Sequence, residues 1–128
     1  MSTRILLVDD EPAIIFGYSR YLSAAGYNVE EATCLAEAKE RLTQQRFDAV
    51  ILDLKLPDGN ALGSIDGLKR DYPDMIIIVV TGETDAAVKS EALNRGSDEF
   101  YVKPVSLDDL AACLLKRLRK SKTHNPGH

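Results

Sequence analysis

Histidine is nearly missing from this chain: its 128 residues include two, His124 and His128, both in a polar tail, so the folded part has no imidazole for catalysis or metal binding. Cysteine is as scarce. Cys34 and Cys113 lie far apart without ligand or CxxC spacing, which excludes a zinc site and a disulfide framework and leaves two small buried hydrophobes in a reducing compartment. Tryptophan is absent, and no apolar run approaches the roughly 20 residues a membrane helix needs. The N-terminus, Met1-Ser2-Thr3-Arg4 followed by Ile5-Leu6-Leu7-Val8, lacks the features of a signal peptide, so the expected location is the cytoplasm. A glycine-rich phosphate loop is also lacking.

What is present is ordinary globular composition, 45% hydrophobic and 28% charged, at a length that suits one domain. The charge is divided unevenly. Of 16 basic residues, five (Lys116, Arg117, Arg119, Lys120, Lys122) lie in an acid-free stretch from 116 on, leaving 11 against 20 acids in the rest. So acidic a body repels phosphate backbones, and direct nucleic acid binding by this domain is not expected.

Apolar runs and turn signals alternate along the chain. Arg4 to Val8, Tyr27 to Glu31, the run ending at Asp53, Met75 to Val80 and Glu99 to Val102 read as strands. Pro12 opens a first helix with Ile14, Tyr18, Leu22 and Ala25 on one face and Gly26 as its left-handed cap. Thr33 is the expected cap of a second helix, with Leu35, Ala38 and Leu42 facing inward. Asn60 to Tyr72 reads as a helix weakened by Gly63 and Gly67, and Ala86 to Arg95 as an alanine-rich one closed by Gly96. Ser106 to Asp109 forms a capping box for the last helix, with Val105 and Leu110 as its hydrophobic staple. Five strands alternating with five helices require right-handed crossovers. The predicted fold is α/β, a doubly wound five-stranded parallel sheet, with residues 1–120 as one domain and 121–128 as a polar tail or linker stub.

In such sheets ligands bind beyond the carboxyl ends of the strands. There the chain places Asp9-Asp10 after strand one, Asp53 after strand three, Thr81 at the end of strand four and Lys103 after strand five. Crowded carboxylates repel, which predicts a raised pKa for at least one of them and a divalent cation to relieve the conflict. Oxygen-only ligands suit Mg²⁺, while Lys103 and Thr81 can face an anion. Lacking histidine and a thiolate, a phosphoryl site of this kind takes its nucleophile from the carboxylates, and Asp53 is the candidate.

These residues, with Leu56-Pro57-Asp58-Gly59 after Asp53, Gly82 after Thr81, and Phe100 ahead of Lys103-Pro104, resemble the response regulator receiver domain of two-component signalling, over residues 4 to about 119. The resemblance implies a (βα)5 flavodoxin-like fold with strand order 2-1-3-4-5. It implies that Asp53 accepts a phosphoryl group from a sensor histidine kinase, with Mg²⁺ (or Mn²⁺) held by Asp10, Asp53 and the backbone carbonyl of Lys55, and by Asp9 through water. Thr81, Gly82 and Lys103 are then the phosphoryl-binding residues, Phe100 the switch aromatic, and the bond before Pro104 is expected cis. Lys55 and Glu83 occupy positions that tune the lifetime of the phosphorylated state in this family, and here they carry opposite charges. Switching would remodel the face of helix four, strand five and helix five to control a covalently linked output domain, expected to be transcriptional. Dimerisation on phosphorylation is also implied.

A stand-alone regulator acting by protein contact is the alternative output. Three further readings are less favoured. A haloacid dehalogenase-type phosphatase needs an acid where Lys55 stands, so turnover catalysis is not expected, only slow self-dephosphorylation. A flavin-binding module would not place three acids against the cofactor's phosphate, and a pseudo-receiver would lack one of the residues found.

Overall fold

The computed structural model describes residues 3–123. Its main sheet contains β1 (Arg4–Val8), β2 (Asn28–Ala32), β3 (Ala49–Leu52), β4 (Ile76–Thr81) and β5 (Glu99–Val102), all parallel, in the order β2-β1-β3-β4-β5. The reversal of strand order between β1 and β3 puts a crevice beside Asp53.

β3 and β4 are buried along their whole length, which is why they read as unbroken apolar runs rather than alternating ones. One face of the sheet (Ile5, Leu7, Ile51, Ile78, Val80) packs on Tyr18 and Leu22 of α1 (Pro12–Ala24) and on Leu110 and Leu114 of α5 (Leu107–Thr123). The other face (Leu6, Val8, Val50, Leu52, Ile77, Val79) packs on α2 (Leu35–Gln44), α3 (Ile65–Asp71) and α4 (Ala86–Arg95). α4 contributes Ala92 alone to the fully buried set, as expected of an alanine-rich helix.

Gly26 and Gly96 have φ of +101° and +120° just past α1 and α4, where any other residue would be strained. Asp85 caps α4 by accepting from the Ala87 amide at 2.9 Å, and Ser106 Oγ accepts from the Asp109 amide at 3.3 Å at the start of α5.

Four expectations need correction. Ala25 is exposed, so the inner face of α1 ends at Leu22. The segment after Asn60 is a 3₁₀ turn (Ala61–Ser64) before α3, and Lys55–Leu56 and Gly59–Asn60 pair as a small antiparallel hairpin ahead of it. Thr33 does not cap α2. The α2 amides of Leu35 and Ala36 donate instead to Asp58, at 2.8 and 2.9 Å, across more than 20 residues of sequence. α5 runs to Thr123, into the residues expected to be tail, and 124–128 lie outside the described residues.

Candidate functional site

β1, β3 and β5 each hand the side chain that follows them to the same crevice by continuing the hydrogen-bond ladder one residue past the strand. The Asp9 amide donates to Ala32 O (3.1 Å), the Asp53 amide to Val8 O (3.0 Å) and the Lys103 amide to Thr81 O (2.8 Å). These side chains are therefore held on sheet backbone rather than on loops. Asp9, Asp53 and Thr81 are buried and Asp10 is exposed.

Carboxylate oxygens of Asp9, Asp10 and Asp53 all lie within 4.8 Å of one another. Lys103 Nζ reaches Asp9 Oδ2 at 2.8 Å, Asp53 Oδ2 at 3.0 Å and Glu11 Oε1 at 2.6 Å. The Lys103–Pro104 bond is cis. Glu11 is the member the sequence reasoning missed. As the third acid of the Asp9-Asp10-Glu11 run its charge was visible, but its reach to a residue 92 positions away was not.

Asp9 has a raised carboxyl pKa, and the leading cause is burial, opposed by the hydrogen bond from Lys103. The crowding of Asp53 adds only the least of the contributions, so desolvation and not mutual repulsion produces the expected rise. For Lys103, burial pushes the pKa down, but hydrogen bonds to Asp9, Glu11 and Asp53 outweigh it and the net shift is upward. The ammonium stays charged throughout the physiological range.

Behind Asp53 the loop is pinned at several points. The Lys55 amide donates to Asp53 Oδ1 (3.3 Å), the Ala61 amide to Leu54 O (2.8 Å), and Asp58 grips the start of α2. Those two α2 amides hold the Asp58 carboxyl below the usual carboxylate range. Lys55 Nζ stands 3.7 Å from Glu83 Oε2, with the lysine 70% exposed. The Glu83 amide contacts Thr81 Oγ1 at 3.4 Å. Phe100 is half-buried on β5, opposite Val79, and packs on the α2–α4 side of the sheet. Tyr101, its neighbour, points to the other side and packs with the α1/α5 core.

The residues present fit a hard divalent cation: three carboxylates converge, no nitrogen or sulfur ligand is among them, and the buried pair carries more negative charge than Lys103 alone neutralises. A hollow of about 1290 Å³ lies at the opposite end of the sheet, bordered by Phe47, Asp48, Met75, Asp98 and Arg117. It holds none of the residues above, so converging charge, not concavity, locates this site.

Residues 5–115 match the family model of the response regulator receiver domain. The chain is 36% identical over 115 residues to the alginate biosynthesis transcriptional regulatory protein AlgB of Pseudomonas putida, covering 90% of this chain and 26% of that one. It spans about half the length of other curated relatives it matches. Among solved structures, a CheY-like response regulator receiver domain protein from Methanospirillum hungatei superimposes with a TM-score of 0.93 at 30% identity, covering 98% of this chain and all of that one. A response regulator from Burkholderia pseudomallei, solved with a phosphorylated aspartic acid, a calcium ion and citrate, gives 0.84 at 26% identity, covering 95% of this chain and 72% of the other. By its fold, its strand-end residues and these matches, the chain belongs to the response regulator receiver domain family of two-component signalling.

Proposed function

We propose that this domain is a phosphorylation switch in which Asp53 accepts a phosphoryl group from a sensor histidine kinase. The observation that carries this reading is the convergence of Asp53 with Asp9, Asp10 and the Lys103 ammonium at the strand ends. A carboxylate oxygen of Asp53 forms the new bond to phosphorus as the P–N bond of a phosphohistidine breaks, and the departing ring nitrogen takes up a proton. Lys103 and Thr81 then receive the phosphoryl oxygens, with the exposed Gly82 leaving room beside them. Asp10, Asp53 and the Lys55 carbonyl, with Asp9 through water, would hold Mg²⁺ or Mn²⁺. Bound there, the ion supplies charge neutralisation for the carboxylates and the incoming phosphoryl group. The phosphorylated calcium-bound relative supports this assignment.

The acyl phosphate adds about two negative charges beside Thr81 and Lys103. Drawing both toward it moves the ends of β4 and β5, and Phe100 follows Thr81 inward, remodelling the face of α4, β5 and α5. The lightly anchored α4 suits that role. The output we favour is a linked transcriptional domain, because a relative bearing that description is about four times as long as the stretch it shares with this chain. The domain is a switch and not a turnover enzyme, since Lys55 replaces the acid that a phosphatase would need there. The Lys55–Glu83 pair, 3.7 Å apart and two residues beyond Asp53 and Thr81, would obstruct in-line attack by water and slow hydrolysis.

Radiolabelled acetyl phosphate tests the reading. Wild type is expected to label only with a divalent cation, and Asp53→Ala not at all. Equal labelling of Asp53→Ala, or labelling that survives chelation of metal, would overturn it.

A further inference from the structure

An ammonium has three N–H donors, and Lys103 Nζ has three carboxylate oxygens within 3.0 Å, one each from Asp9, Glu11 and Asp53. An incoming phosphoryl oxygen therefore gains a hydrogen bond from Lys103 only by displacing one of them. The three are not equally able to leave. Asp9 and Asp53 have side chains 3% and 6% exposed on the ends of β1 and β3, so releasing either strands a buried charge. Glu11 is 57% exposed, and water replaces its lost partner at little cost.

The backbone confines the movement to the side chain. The Glu11 amide donates to Asp9 Oδ1 at 2.9 Å, and Pro12 fixes the chain just after it at the start of α1. Glu11 occupies the cap position of α1 yet makes no capping hydrogen bond, because its carboxylate is turned to Lys103 instead.

We propose that Glu11 is a placeholder for the phosphoryl group: it holds the third donor of Lys103 in the resting protein, yields it to a phosphoryl oxygen, and so sets how readily the site accepts an anionic donor. Glu11 is a positioning residue, acting through Lys103, and the proposal rests on the assignment of Asp53 as phosphoacceptor. In labelling by acetyl phosphate, the Asp53 Oδ–P bond forms, the P–O bond to the acetyl group breaks and acetate departs. Glu11 exchanges a hydrogen bond during this step and no proton.

The test measures labelling by acetyl phosphate at saturating Mg²⁺ for wild type, Glu11→Gln and Glu11→Asp. Loss of an exposed competitor should lower the half-saturating donor concentration about two- to fivefold, with the maximal rate little changed. Glu11→Asp keeps the charge but is one methylene too short to hold Lys103, and an aspartate there turns to cap α1. It should therefore behave like Glu11→Gln. If Glu11→Asp matches wild type while Glu11→Gln shifts, general repulsion of the donor explains the effect and the exchange is overturned. A second readout is independent of rate. On adding Mg²⁺ and beryllofluoride, the Glu11 side-chain carboxyl carbon should move in the NMR spectrum toward the position of a solvated glutamate, and an unmoved signal sinks the idea. If Asp53→Ala labels like wild type, the phosphoacceptor assignment falls and takes this one with it. If Asp53→Ala is inert and both Glu11 variants behave as wild type, the role of Glu11 alone falls.

Discussion

At the amino ends of the strands charges come in matched pairs, and at the carboxyl ends they do not. Lys69 Nζ lies 2.8 Å from Asp98 Oδ2 and 2.9 Å from the Met75 carbonyl, while Arg117 holds Glu99 and donates to the Asp98 carbonyl at 2.8 Å. Asp98 also accepts from the Ile77 amide at 2.8 Å, and Gly96 provides the space through which the Lys69 side chain passes, since a Cβ there would meet Lys69 Cγ at 3.0 Å. Lys69, Asp98, Glu99 and Arg117 each have a partner of opposite charge there. At the other end Asp9, Asp10, Glu11 and Asp53 gather around Lys103, which binds three of them. The same residue types thus stabilise the fold at one end and at the other hold negative charge in excess, which suits the cation proposed to bind there.

The contrast can be broken most strongly at the amino end. Asp98→Ala removes the partner of Lys69 and the acceptor of the Ile77 amide, and should cost about 2–3 kcal/mol in urea denaturation while leaving acetyl phosphate labelling intact. A cost under about 0.5 kcal/mol would mean that the pairing is decorative.

Asp9→Asn should act with the opposite sign. Because burial raises the Asp9 pKa in the folded state, its favourable contribution is complete below the ordinary value of 3.8 and is lost as pH rises through the higher folded value. In metal-free buffer at neutral pH the amide should therefore be more stable than the ionised acid, by roughly 1 kcal/mol, and its stability should fall less as pH climbs above 4. Saturating Mg²⁺ should reverse the ranking, by stabilising wild type more. A destabilised Asp9→Asn in metal-free buffer would show that Lys103 fully compensates the buried charge.

The smallest effect sharpens the comparison at the rim of the site. Lys55→Ala breaks a pair with one highly exposed member, worth about 0–1 kcal/mol, so loss of the phosphoryl group should speed up no more than about fivefold. An unchanged rate would leave Lys55 and Glu83 as ordinary surface charges.

Reading the chain alone recovered what periodicity and turn chemistry encode locally: five strands, the glycine caps after α1 and α4, and the strand-end residues that converge because parallel strands end on one side. It could not recover pairings set by the third dimension. Asp58 stands in a turn motif, and only the folded chain brings it to the first amides of α2, where Thr33 had the better local credentials. The hairpin of Lys55–Leu56 with Gly59–Asn60 is too short to carry a pattern. Glu11 read as one acid of three because its partner is most of the chain away.

The ladder bonds that continue past the strands have a further consequence. Asp9, Asp53 and Lys103 are positioned by counting: each sits one residue beyond a strand whose register is locked to its neighbour. The sheet serves as a ruler graduated in steps of about 3.3 Å, with successive marks facing opposite sides. Substitutions in the helices and loops can therefore accumulate while the reactive groups stay at fixed marks, but a single residue inserted within β3 would turn Asp53 to the wrong face.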